Sequence, residues 1–239
     1  MRRAACTGLL LAMAFAAPLA HADEAQCRIA LGRGWPPATE NYGTAVEKLL
    51  SGDQPVAWGF TLLPRTGAES GVQLIPDPAG GDWTLRHAVA DERVHAWSGG
   101  KLELRTQQTP DVEQAAIPAA VATRLIEDWR HALGAVAVEG SQAPFSEEDT
   151  WLFVVGDPAS GDVLRVSGLR PDCELGELMR EQIDLLIEAS DEGDEKRAKR
   201  WRQLGEQLDR MRQMVDGPAA TVDESDAEAE KRRGWTLFK

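Results

Sequence analysis

His87 and His95 are the residues whose type and spacing come closest to chemistry. Trp83, Leu85, His87 and Val89 alternate as one face of a strand, His95 and Trp97 as one face of the next, and Leu102 and Leu104 as one face of a third. Ser98-Gly99-Gly100-Lys101 reads as a two-residue hairpin turn that sets Trp97 opposite Leu102 and His95 opposite Leu104. An odd-length loop before it, such as Ala90-Asp91-Glu92, places His87 opposite His95 with β-carbons about 5 Å apart. Two imidazoles at that distance can share a metal ion or relay a proton. A working zinc site needs at least a third ligand, however, and no carboxylate shares the inferred face. Parity therefore predicts a three-stranded meander over Trp83 to Thr106, with both histidines turned toward the apolar side. Satisfied core histidines are the simpler reading, and metal binding or acid–base catalysis the sharper one.

Other chemical patterns are weaker. Ser98 and Lys101 match the Ser-x-x-Lys spacing of serine acyltransferases that act on cell-wall peptides, but there the serine opens a helix, whereas two glycines here make a hairpin turn. Asp157, Ser160 and Asp162 lie close together without the ligand series of a calcium loop and read as turn residues. The sequence contains no nucleophile elbow, phosphate-binding glycine loop, dinucleotide fingerprint, Cys-x-x-Cys pair or His-Glu-x-x-His helix, so no cofactor is expected.

The beginning of the chain indicates where it works. Met1-Arg2-Arg3, an apolar run from Leu9 to Leu19, and Ala20-His21-Ala22 form the pattern of a signal peptide spanning residues 1–22, with cleavage expected before Asp23. Periplasmic or secreted localisation follows. Removing the leader removes Cys6 and leaves Cys27 and Cys173 in an oxidising compartment, which predicts one disulfide between them. The 239-residue chain carries 39 acidic against 26 basic residues, a net charge of −13 that grows more negative once Arg2 and Arg3 are lost. Such a surface repels a phosphate backbone and argues against a nucleic-acid partner. No apolar run beyond the leader is long enough to span a bilayer.

These residues are positioned by a chain that reads as strands in the middle with helices around them. Asn41 to Leu50 has helical spacing, followed by strands at Val56 to Leu63 and Val72 to Ile75 and by the meander. A helix runs from Pro118 to Leu133 with Gly134 as its stop, and Trp151 to Val155 and Val163 to Leu169 form a central hairpin. Pro171-Asp172 caps a helix reaching about Ser190. A further helix carries Trp201, Leu204, Leu208, Met211 and Val215 as one stripe, so the two should pack as an antiparallel hairpin over one sheet face, with Trp201 its largest buried group. The fold class expected is α+β, a mainly antiparallel sheet covered by helices, in a single domain over residues 23–216. Residues 217–239 read as a disordered acidic tail with a basic, aromatic end.

Six of the eight tryptophans fall on apolar faces; Trp35, in a Gly-Trp-Pro-Pro loop, and Trp235 do not. Trp35, Trp235, Leu237 and Phe238 are therefore the candidate partner-binding residues. The sequence favours an exported envelope protein that binds a partner protein or small ligand without catalysis. One alternative is a periplasmic hydrolase or metalloenzyme using His87 and His95. Another is an inhibitor or immunity-type protein whose acidic surface suits a basic envelope enzyme.

Overall fold

The computed structural model describes residues 20–35, 37–139, 148–157 and 160–217. Its elements are α1 (Ala20–Ala30), β1 (Leu31–Arg33), α2 (Pro37–Ser51), β2 (Trp58–Leu63), β3 (Ser70–Ile75), β4 (Trp83–Val89), β5 (His95–Ser98), β6 (Lys101–Leu104), β7 (Asp111–Ile117), α3 (Ala119–Val136), β8 (Thr150–Gly156), β9 (Val163–Leu169), α4 (Glu174–Asp191) and α5 (Asp194–Asp216). Seven strands form one antiparallel sheet in the order β1-β9-β8-β2-β3-β4-β7, and β5 and β6 pair separately. The α+β class holds. No described helix is long and apolar enough to cross a membrane.

Both faces of the central strands are buried because each carries apolar residues at both parities. Trp58, Phe60, Val72, Leu74, Leu85, Phe153, Val155 and Val166 face one way, toward α1, α3 and α4. Leu63, Ala88 and Leu152 face the other way, toward Tyr42, Val46 and Leu50 on the inner stripe of α2. Trp58 and Trp129 meet edge to face at 5.2 Å, and Trp129 donates its indole N–H to Gln182 of α4 at 2.6 Å, which satisfies the polar atom of a fully buried ring. Gly168 is obligatory in this arrangement: a β-carbon there would lie 1.8 Å from the Ala30 carbonyl oxygen, where the chain passes from α1 into β1.

The helix hairpin differs in part from expectation. α4 and α5 pack antiparallel, but only α4 lies on the sheet; α5 rests on α3 and α4 from outside. Its buried seam is Leu204, Leu208 and Met211, while Trp201 is only partly buried. Polar pairs complete that contact, with Asp128 of α3 bound by Arg212, Arg124 bound to Asp209, and His131 within 2.6 Å of Asp216. α3 runs through Gly134 to Val136, because one glycine costs a helix only about 1 kcal/mol and the flanking Leu133 and Val136 are buried. Cys27 of α1 and Cys173, the N-cap of α4, are buried at disulfide distance with α-carbons 6.0 Å apart. Of the leader expected over residues 1–22, residues 1–19 lie outside the described residues, as does the tail beyond Gly217, while residues 20–22 open α1.

The meander is half right. β5 and β6 pair with the expected register, His95 opposite Leu104 and Trp97 opposite Leu102. They do not continue the sheet from β4, whose neighbours are β3 and β7. β7 is invisible to an alternation rule because its residues, Asp-Val-Glu-Gln-Ala-Ala-Ile, place acids and alanines where a half-buried strand usually has large apolar groups.

Candidate functional site

The most unusual side chain in the structure is Glu69, a carboxylate with no exposed surface just before β3. Charged groups reach such positions only when they are paired and hydrogen-bonded. Tyr42 of α2 donates its hydroxyl to Glu69 Oε1, the Val94 N–H donates to Oε2 at 2.7 Å, and the His95 N–H approaches Oε1 at 3.4 Å. The Glu69 carbonyl also accepts the Ala90 N–H at 2.8 Å. One residue therefore grips both ends of the connection between β4 and β5, through its backbone at Ala90 and its side chain at Val94 and His95.

The surroundings shift the titration of Tyr42 and of His95. Burial raises the Tyr42 hydroxyl well above the usual tyrosine range, the hydrogen bond and charge of Glu69 raise it further, and Arg93 acts against both. Tyr42 therefore remains a donor. His95 packs its ring 5.0 Å from that of Tyr42; burial first and Arg93 second lower its basicity, with Glu69 opposing. Glu69 thus receives donors on both oxygens and has no solvent access, which suits an anchor and not a general base.

What the anchor holds is the β5–β6 hairpin. Gly99 and Gly100 both have positive φ, 58° and 78°, the turn geometry that matches strand twist and that glycine adopts without strain. Lys101 and Glu103 are exposed beside it. Ser98 and Lys101 face each other across this turn, so the Ser-x-x-Lys spacing belongs to a hairpin, not to a helix start.

His87 and His95 are not opposite one another. His87 pairs across the sheet with Val72 and Glu113 on the face that packs against α4, whereas His95 meets α2 on the other side. The pairing fails because β7, not β5, is the strand beside β4. His87 Nδ1 lies 3.4 Å from Glu113 Oε2, to which Ser190 Oγ donates at 3.2 Å. Both rings are partly buried. Among the described residues, no group of three or more histidines, cysteines or carboxylates converges as a metal site.

Trp35 is half-buried against Gly43 of α2, with the Arg165 guanidinium 4.5 Å above its ring and Arg165 bonded in turn to Glu47 at 3.1 Å. Trp235, Leu237 and Phe238 lie outside the described residues, as does the side chain of Trp97. Ser160 Oγ stands 2.9 and 3.0 Å from the carboxylates of Asp157 and Asp162, in a turn. Sequence reasoning missed Glu69. The available signal was Tyr42, the chain's one tyrosine, set in an otherwise apolar helix stripe where its hydroxyl needs a partner. No protein-family model, curated protein or solved structure matches the chain.

Proposed function

We propose that this is an exported cell-envelope protein that acts without catalysis by binding a partner protein or ligand, and that it presents the β5–β6 hairpin to do so. The observation that supports this reading is the complete burial of Glu69 beneath the hairpin. Burying a carboxyl group is unfavourable unless it is hydrogen-bonded, and a core built on Trp58, Trp129 and Phe153 has no need of one. A two-stranded hairpin with strands of four residues is marginal by itself, so the carboxylate holds in one position an element that would otherwise wander. Such preorganisation lowers the ordering cost of association. The disulfide-distance cysteine pair fits an oxidising compartment.

Affinity capture from envelope extract tests the proposal, using the full chain beside a variant with the hairpin charges exchanged, Lys101→Glu with Glu103→Lys. Both positions are exposed, so the fold should survive. A partner held by the wild type and lost from the variant supports the hairpin. Equal capture by both would move the site elsewhere, and bound metal with no partner would favour an enzyme. The strongly acidic surface favours a basic partner, which keeps the inhibitor- or immunity-type reading as the specific form of this proposal.

A further inference from the structure

Among the described residues, one edge of the large sheet is closed and the other is open. At the β1 edge the strand is only three residues long, and its outer side is bonded to Val138: the Arg33 N–H donates to the Val138 carbonyl at 3.1 Å, and the Val138 N–H to the Leu31 carbonyl at 3.2 Å. At the other edge β7 pairs along its whole length with β4, from Trp83 opposite Ile117 to Val89 opposite Asp111, in a register without a bulge. On its outer side β7 makes no backbone hydrogen bond to any described residue. Asp111, Glu113, Gln114 and Ala116 are exposed along it. Neither proline nor lysine interrupts the strand, so several devices that usually blunt an edge are missing.

We propose that the β7 edge accepts, by strand addition, an extended basic segment of a partner protein with lysine or arginine at alternate positions. Backbone pairing would supply affinity, and the side chains would set the choice of partner. Asp111 and Glu113 are two residues apart and so share one face, where an added strand would place its own alternate side chains beside them. Asp111 has no ion-pair partner among the described residues, and the Glu113 side chain stays 44% exposed despite its contacts to His87 and Ser190. On the other face Gln114 and Ala116 are exposed beside a half-buried Val112, which leaves room for small or apolar groups. A second copy of this chain is a poor occupant, because it would set one acidic strand against another on molecules that each carry −13. This surface is distinct from the hairpin tip and extends the binding reading to a second element.

The test uses the oxidised full chain and a short synthetic peptide of alternating lysine and valine, followed by fluorescence anisotropy and by amide hydrogen exchange. Binding that weakens with salt and protects β7 amides is expected. The Asp111→Lys variant, or a peptide with glutamate in place of lysine, should bind about tenfold more weakly or worse. N-methylation of alternate peptide amides should abolish binding without altering the protein at all. Equal binding by the N-methylated or the glutamate peptide would overturn the proposal, as would exchange protection that maps away from β7. β7 amides already protected on their outer side in the free chain, and exposed on removal of residues 218–239, would assign the edge to the chain's own end and equally overturn it. Loss of capture by the hairpin variant with this peptide still bound would separate the fate of the two surfaces.

Discussion

Reducing the Cys27–Cys173 pair should cost this protein a large share of its stability. The two cysteines are 146 residues apart in sequence, and closing a loop of that size removes about 5 kcal/mol of chain entropy from the unfolded state in the simplest model. α1 holds its place on one side only, with Cys27 buried and Ile29 exposed, so it depends on the bridge more than the other helices do. Relaxation of α1 should absorb part of the loss, leaving about 3–5 kcal/mol measurable in Cys27→Ser. Cys173 has a second role, because its sulfur accepts the Gly176 N–H at 3.2 Å and caps α4. Cys173→Ser keeps a capping side chain while Cys173→Ala does not, so the alanine variant should be less stable than the serine one by about 1 kcal/mol. Urea unfolding followed by tryptophan fluorescence reads both differences. Coincident midpoints for the oxidised and reduced proteins would refute the reasoning, and so would two free thiols in a denaturing titration of protein taken from an oxidising compartment.

Other variants probe the interior. Glu69→Ala should destabilise by about 2–5 kcal/mol in urea titration, since the Tyr42 hydroxyl and the Val94 N–H would each lose a buried acceptor. Trp129→Ala should cost about 3–5 kcal/mol by emptying a fully buried site and orphaning Gln182, and Trp201→Ala only about 1–2, because Trp201 is partly exposed; the reverse order in thermal melts would contradict the packing. The depressed basicity of His95 means that the fold favours its neutral form. That contribution is intact above the unfolded value of about 6.5 and is lost as pH falls through the depressed folded one, so His95→Phe should flatten stability against pH in this acidic window.

Much of the fold is legible from periodicity. The helix stripes of Leu125, Ile126 and Trp129 and of Leu204, Leu208 and Met211, the continuous apolar run of Trp151 to Val155, and the glycine turn at Gly99-Gly100 each state their own structure locally. What fails is long-range pairing. Parity assigned His87 and His95 to strand faces, but only the position of β7 decides which strand lies beside β4, and β7 has the composition of a loop. Trp201 lies shallower than its stripe predicts, because a stripe shows that a helix packs, not how deep each member lies. Glu69 had no local mark, since its neighbours Ala68 and Ser70 are ordinary and all its partners come from residues 42 and 90–95.

Residue-resolved amide hydrogen exchange of the oxidised protein, compared with its Glu69→Gln variant, tests the anchored hairpin most directly. If the carboxylate holds the hairpin, the amides of Val94 and of β5 and β6 that bond within the structure are protected nearly as well as the central strands β2 and β8. In Glu69→Gln that protection should fall by at least about tenfold while β2 and β8 keep theirs, because the donors of Tyr42, Val94 and His95 are then left with one accepting oxygen instead of two. A hairpin that exchanges freely in the wild type, or one whose protection is the same in both proteins, would contradict the account.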